Sequence, residues 1–148
     1  MTSALNRRLV TVPATWFITL ALIVLAPLAL PVLVVVDLLR ARPRLPLARG
    51  WVFGLAYGLL ESAMLVVVAG LWVLTGFGLA MSTRWAQRLH YSLQRWWVGR
   101  LLRLLEAVLG LRFSIEGIEA LRPGPVIVFG RHVSLVDTLF PALALADS

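Results

Sequence analysis

The chain has 148 residues, 60% of them hydrophobic and 14% charged, against roughly 45–50% and ~25% in soluble domains. Its formal net charge is +7, and all 14 basic residues are Arg. Nucleic-acid binding would need a basic patch on a soluble surface. Here the arginines border apolar stretches, and attraction to anionic lipid headgroups, about 1 kcal/mol for each residue near the surface, is the simpler reading. With no Cys, disulfides, thiolate metal sites and Cys nucleophiles drop out.

The first apolar run covers residues 11–36 without a charge, long enough to cross a bilayer. Arg7 and Arg8 precede it as in a signal peptide, but the run is too long for a signal core and no small-residue cleavage site follows, so it reads as a retained helix. Pro27 and Pro31 each remove a helical hydrogen bond, which predicts a kink. Residues 37–49 form a short basic loop with Arg40, Arg42, Arg44 and Arg49, turned by Pro43 and Pro46.

A second apolar run, residues 50–81, has Glu61 as its one charge. It exceeds one straight span and could tilt, or bend near Gly76 and Gly78. Gly50, Gly54 and Gly58 share a helix face, where the first run could approach closely. Glu61 at bilayer depth points either to an ion pathway or, more simply, to a partner contact, a protonated acid or a position near the interface. Two full spans would place the N-terminus and the C-terminal portion on one side. A hairpin dipping into one leaflet would put every Arg on one face. Charge asymmetry does not choose between them.

From residue 83 to 111, Trp85, Leu89, Leu93, Trp97, Leu101, Leu105 and Leu109 recur every four positions, with Arg84, Arg88, Arg95 and Arg103 off that row. This predicts an amphipathic helix, or two joined near Gly99. It suits a headgroup interface or the cover of a packed core, and different faces could do both. Residues 112–117 then alternate as a strand does, residues 122–125 turn, and residues 126–129 read as a buried strand. Ser134 is a good N-cap for a following helix that Pro141 should end early. The fold class is thus an α-helical membrane segment, two apolar helices and an amphipathic helix over residues 1–82 and 83–111, followed over 112–148 by the start of an α/β domain. With two strands, that α/β core is incomplete.

After the second strand come His132 and, five residues on, Asp137. His is the default general base near neutrality, and a carboxylate on its other ring nitrogen would fix the tautomer and stabilise the imidazolium. By spacing alone, however, Asp137 can equally be a capping residue and His132 a turn residue.

The stretch 115–137, with Glu116-Gly117, the Gly124-Pro125 turn, the apolar strand, and Arg131-His132-Val133-Ser134-Leu135-Val136-Asp137, resembles the opening of the PlsC-type glycerolipid acyltransferases, the lysophosphatidate acyltransferases and their relatives. The upstream membrane helices and Arg/Trp-rich helix are similar to that family's N-terminal portion, and the clear match covers roughly residues 95–140. The resemblance implies an enzyme of phospholipid biosynthesis. His132 would take the proton from a lysophospholipid hydroxyl that attacks the thioester of acyl-CoA or acyl-carrier protein, and Asp137 would orient His132. Ser134 would shape the turn, and neither metal nor redox cofactor is implied. Arg131 stands where the family usually has Asn; a guanidinium cannot accept a hydrogen bond, so Arg131 could contact phosphate instead. The family's later blocks, including the one for the acceptor phosphate, are not in these 148 residues, so the expectation is a fragment inactive alone. The expected location is the inner membrane with the catalytic portion on its cytoplasmic face. The competing readings are a non-enzymatic membrane anchor or partner-binding protein, and a small transporter-like unit around Glu61.

Overall fold

The computed structural model describes residues 2–112. Helix α1 spans Thr2–Leu39, α2 spans Pro46–Leu74 and α3 spans Arg84–Leu104. A short 3-10 turn, Leu79–Ser82, precedes α3, and one π turn, Leu105–Leu109, ends it. The three helices run up, down and up.

The two apolar helices form: α1 exceeds the run that predicted it at both ends, whereas α2 starts four residues earlier than its run and ends at Leu74, before Gly76 and Gly78. The first is one continuous helix through Pro13, Pro27 and Pro31, although a proline nitrogen has no hydrogen to donate and the carbonyl four residues earlier loses its partner each time. Flanking residues make such losses tolerable in an apolar helix. Nearby, Thr15 and Thr19 return their hydroxyls to the carbonyls of Thr11 (2.9 Å) and Thr15 (2.8 Å). Those side-chain donors are satisfied without water. The basic loop is shorter than the charge pattern implied, because Asp37 belongs to α1 and Pro46 is already the first turn of α2. Pro suits that place, where its missing N–H would be unbonded anyway.

Two stretches, Arg8–Leu39 and Pro46–Leu74, are long and apolar enough to cross a membrane, and only 6% of each apolar window is buried. The core helix of a soluble domain would be covered. Successive residues Trp16, Phe17 and Ile18 are all exposed, so α1 is apolar all round, as a helix surrounded by hydrocarbon should be. The chain is built for association with a membrane.

The helices α1 and α2 pack antiparallel. A Cβ on Gly58 would stand 2.5 Å from Thr19 Oγ1 and 3.3 Å from its Cβ, one on Gly54 would sit 3.9 Å from Leu22 Cδ1, and one on Gly50 would meet nothing within 4 Å. The expected glycine face does meet α1, but Gly58 carries the close approach and Gly50 takes no part.

The third helix lies against the other side of α2. Val98, Leu101, Leu102 and Leu105 are buried together, with Phe53 and Leu60 of α2 packed on them. Of the predicted four-residue row, only the C-terminal part faces inward. Trp85 and Leu89 are exposed. The reason is geometric: residues four apart advance about 40° around a helix beyond a full turn, so the row winds away from any fixed partner. The real contact mixes spacings of three and four. Gly99 does not divide this helix, which is continuous to Leu104.

Candidate functional site

His132, Asp137, Arg131 and Ser134, the residues on which acyl transfer would turn, lie outside the described residues, as do the two predicted strands and the Ser134 cap. The described residues contain the junction from which that segment departs, and its geometry is well defined.

Three helix ends meet there. Asp37, fully buried in the last turn of α1, accepts hydrogen bonds at Oδ2 from the backbone N–H groups of Leu47 (2.9 Å) and Ala48 (3.1 Å). Leu45, the N-cap residue of α2, has no side-chain cap of its own and adopts φ 50°. The capping carboxylate therefore comes from the preceding helix, and its negative charge sits at the positive end of the α2 dipole. Its Oδ1 is buried with no hydrogen-bond partner among the described residues. Burial without a partner is costly, so this carboxylate is held by the fold around it.

Arg49, one turn into α2, does the converse for the third helix. Its Nε donates to the Val108 carbonyl at 2.5 Å, placing a cation on the negative end of a helix dipole. Its guanidinium also covers Gly110, where an added Cβ would lie 3.0 Å from Nη2. Gly110 has φ 71°, and only glycine takes that left-handed conformation freely. The chain leaves the junction at Leu111 and Arg112, both exposed. Sequence reasoning grouped Asp37 and Arg49 with the basic loop and missed both roles. One signal was available: Asp37 is the first acid in the chain, at the edge of an apolar run and nine residues before a helix-starting proline.

Around this junction the turn between α1 and α2 exposes Arg40, Arg42 and Arg44, a concentrated positive surface for anionic groups. The opposite end is capped by a compact turn. There Thr75 Oγ1 donates to Leu71 O (2.8 Å), and the N–H groups of Leu79, Ala80 and Met81 bond within the turn. Large apolar side chains stand outside it: Leu79 is 89% exposed and Phe77 65%.

Glu61 is half-buried midway along α2, one turn beyond Tyr57, whose hydroxyl is its hydrogen-bonding neighbour. Tyr57 in turn stacks on Phe53 with ring centroids 6.1 Å apart. Between α1 and α2 an open apolar groove is lined by Trp16, Thr19, Ile23, Leu59, Ser62 and Val66, among others. Among the described residues no group of three His, Cys, Asp or Glu could hold a metal ion.

Comparison with protein-family models, with curated proteins and with solved structures gives no match.

Proposed function

We propose that the chain is the membrane-anchoring portion and the first part of the catalytic portion of a glycerolipid acyltransferase. The observation that carries this reading is the block Arg131-His132-Val133-Ser134-Leu135-Val136-Asp137, which follows the apolar residues Val126-Ile127-Val128-Phe129 in a chain whose first two helices are long and apolar enough to cross a membrane. In the reaction, His132 removes the proton from the hydroxyl of lysophosphatidate or a related lysolipid. The oxygen attacks the thioester carbonyl of acyl-CoA or acyl-carrier protein, and the thiol leaves. Asp137 orients the imidazole and stabilises its protonated form. Arg131, always charged, is suited to the acceptor phosphate. The substrate and its product are both lipids, which gives such an enzyme reason to be anchored in the membrane. We place the catalytic portion on the cytoplasmic face of the inner membrane.

The test is acyl transfer in membranes carrying the full-length gene product, with labelled acyl-CoA and lysophosphatidate, wild type beside His132→Ala. The variant should reach the membrane normally and lose at least the ~10²–10⁴-fold that a general base contributes. Unchanged activity in the variant would sink the assignment. Product from neither protein, with acyl-CoA or acyl-carrier protein as donor and with several lysolipids, would favour a second reading: a membrane anchor without catalysis. The uncovered apolar surface of α1 and α2 supports that reading independently of His132.

A further inference from the structure

We infer that α1 crosses the whole bilayer, so that the N-terminus lies on one side, while the hairpin turn at Arg40–Arg44 and the end of the third helix at Gly110 lie together on the other. The inference rests on the membrane association above and not on the reaction.

Three observations carry it. The first is length. Residues 9–36 contain no charge and lie within one helix, about 42 Å long at 1.5 Å per residue. The hydrocarbon core of a bilayer is about 30 Å thick, so a single leaflet, half of that, cannot house such a helix upright. Nor can it lie flat at the surface, because Trp16, Phe17 and Ile18 expose apolar groups in three directions around its axis, and a helix at an interface needs one polar face.

The second is the position of the arginines. Arg40, Arg42 and Arg44 cluster at the turn, and Arg8, Arg84 and Arg88 lie toward the other end, about 48 Å from Arg8 to Arg40 along α1. That spacing agrees with the ~40–45 Å between headgroup layers. Trp72, Phe77 and Trp85 are exposed at the second end, with Trp72 and Phe77 in an edge-to-face pair at 5.0 Å, as aromatic side chains at an interface are.

The third observation is the return of the chain. The bond from Arg49 to the Val108 carbonyl and the packing of Phe53 and Leu60 against Val98–Leu105 side chains bring the end of the third helix back to the start of α2. Residue 112 is therefore level with the turn. A reading in which α3 simply continues away from the far end of α2 would put it beside the N-terminus. Returning between the two layers places the arginines of α3 at bilayer depth, where charge is costly. Arg84 and Arg88 are in its first two turns. Arg103 donates its Nε to the Gly99 carbonyl (3.2 Å), and the Arg100 guanidinium lies over the Trp96 ring, 5.3 Å from its centroid, so each of these two is met within α3 itself. Arg95, at mid-length, is engaged within the chain.

The chain lacks Cys, so single cysteines report position without a background. Ser3→Cys, Arg42→Cys and Leu111→Cys would be introduced one at a time into the whole chain and exposed in sealed, oriented membrane vesicles to a membrane-impermeant maleimide, before and after permeabilisation. Arg42 and Leu111 are exposed and Ser3 is near the chain start, so none of these changes threatens folding. The expected result is labelling of Arg42→Cys and Leu111→Cys from one side and of Ser3→Cys from the other only. Ser3→Cys and Leu111→Cys reacting together, opposite Arg42→Cys, would show two crossings with no return and overturn the inference. All three reacting from one side would show a hairpin confined to one leaflet and overturn it as well. Neither outcome depends on catalysis, so a failed acyl-transfer assay and a failed topology remain distinguishable.

Discussion

Helix α2 has two partners and holds each by different means. Toward α1 it offers Gly58, against which Thr19 closes to a distance that excludes any Cβ. Toward α3 it offers Phe53 and Leu60, which meet a cluster of buried Leu and Val. The difference follows from what surrounds each helix. A pair of apolar helices in lipid gains nothing by hiding apolar surface, since the tails are equally apolar. Close backbone approach and dispersion must hold them. The third helix carries five arginines between residues 84 and 103, and only part of its surface can be left to lipid. Its apolar C-terminal half is covered by a partner, and large side chains cover it well.

This contrast predicts unequal responses to substitution. The largest belongs to the α2–α3 contact. Leu101→Ala removes a side chain from the cluster and should destabilise α3 docking by about 2–5 kcal/mol, as cavity-forming changes at buried leucines do. Hydrogen exchange read helix by helix would check it. Amides of α3 should lose protection while those of α1 keep theirs, and equal loss in both would mean the three helices act as one cooperative unit.

Next in size is the α1–α2 contact. Gly58→Ala should cost about 1–3 kcal/mol through overpacking. Thr19 cannot yield easily, because it is β-branched and its hydroxyl is bonded to the Thr15 carbonyl at 2.8 Å. Thr19→Ala removes the atom in the way, so the double variant should recover most of the loss. A double-mutant cycle in detergent or bilayer measures that coupling directly, and additive losses would place the obstruction elsewhere.

Much of the helical part was legible before any coordinates. Charge-free length marks α1 and α2, and the four-residue spacing marks α3 as amphipathic. What could not be read was register. Gly50, Gly54 and Gly58 look equivalent in sequence, and only the partner's path, which brings Thr19 to Gly58, ranks them. The Trp85-to-Leu109 row looked like one face, but at about 40° of drift per step it faces α2 only near its end. Asp37 and Arg49 looked like loop charges, yet each serves the end of a helix distant in sequence, a role that exists only once the three ends converge. The acyltransferase pair, His132 and Asp137, rests on motif and spacing, since it lies outside the described residues.

The smallest expected effect sharpens the comparison most, because its sign should reverse. Gly50 lies inside α2 with nothing within 4 Å of an added Cβ, so Gly50→Ala meets no obstruction. Glycine in a helix interior is less favourable than alanine by up to about 1 kcal/mol, chiefly because its unfolded backbone has more freedom to lose. The substitution should therefore be neutral or stabilising by a few tenths of a kcal/mol to about 1 kcal/mol, near the start of a helix where the full amount is not realised. Thermal unfolding of Gly50→Ala beside Gly58→Ala puts the two signs in one experiment. If both glycines resist substitution equally, close approach is spread along the whole helix pair and Gly58 loses its special place. If only Gly58 resists, close approach is confined to Gly58 and Thr19, and the turn end of the pair is held separately by the Asp37 carboxylate on the start of α2.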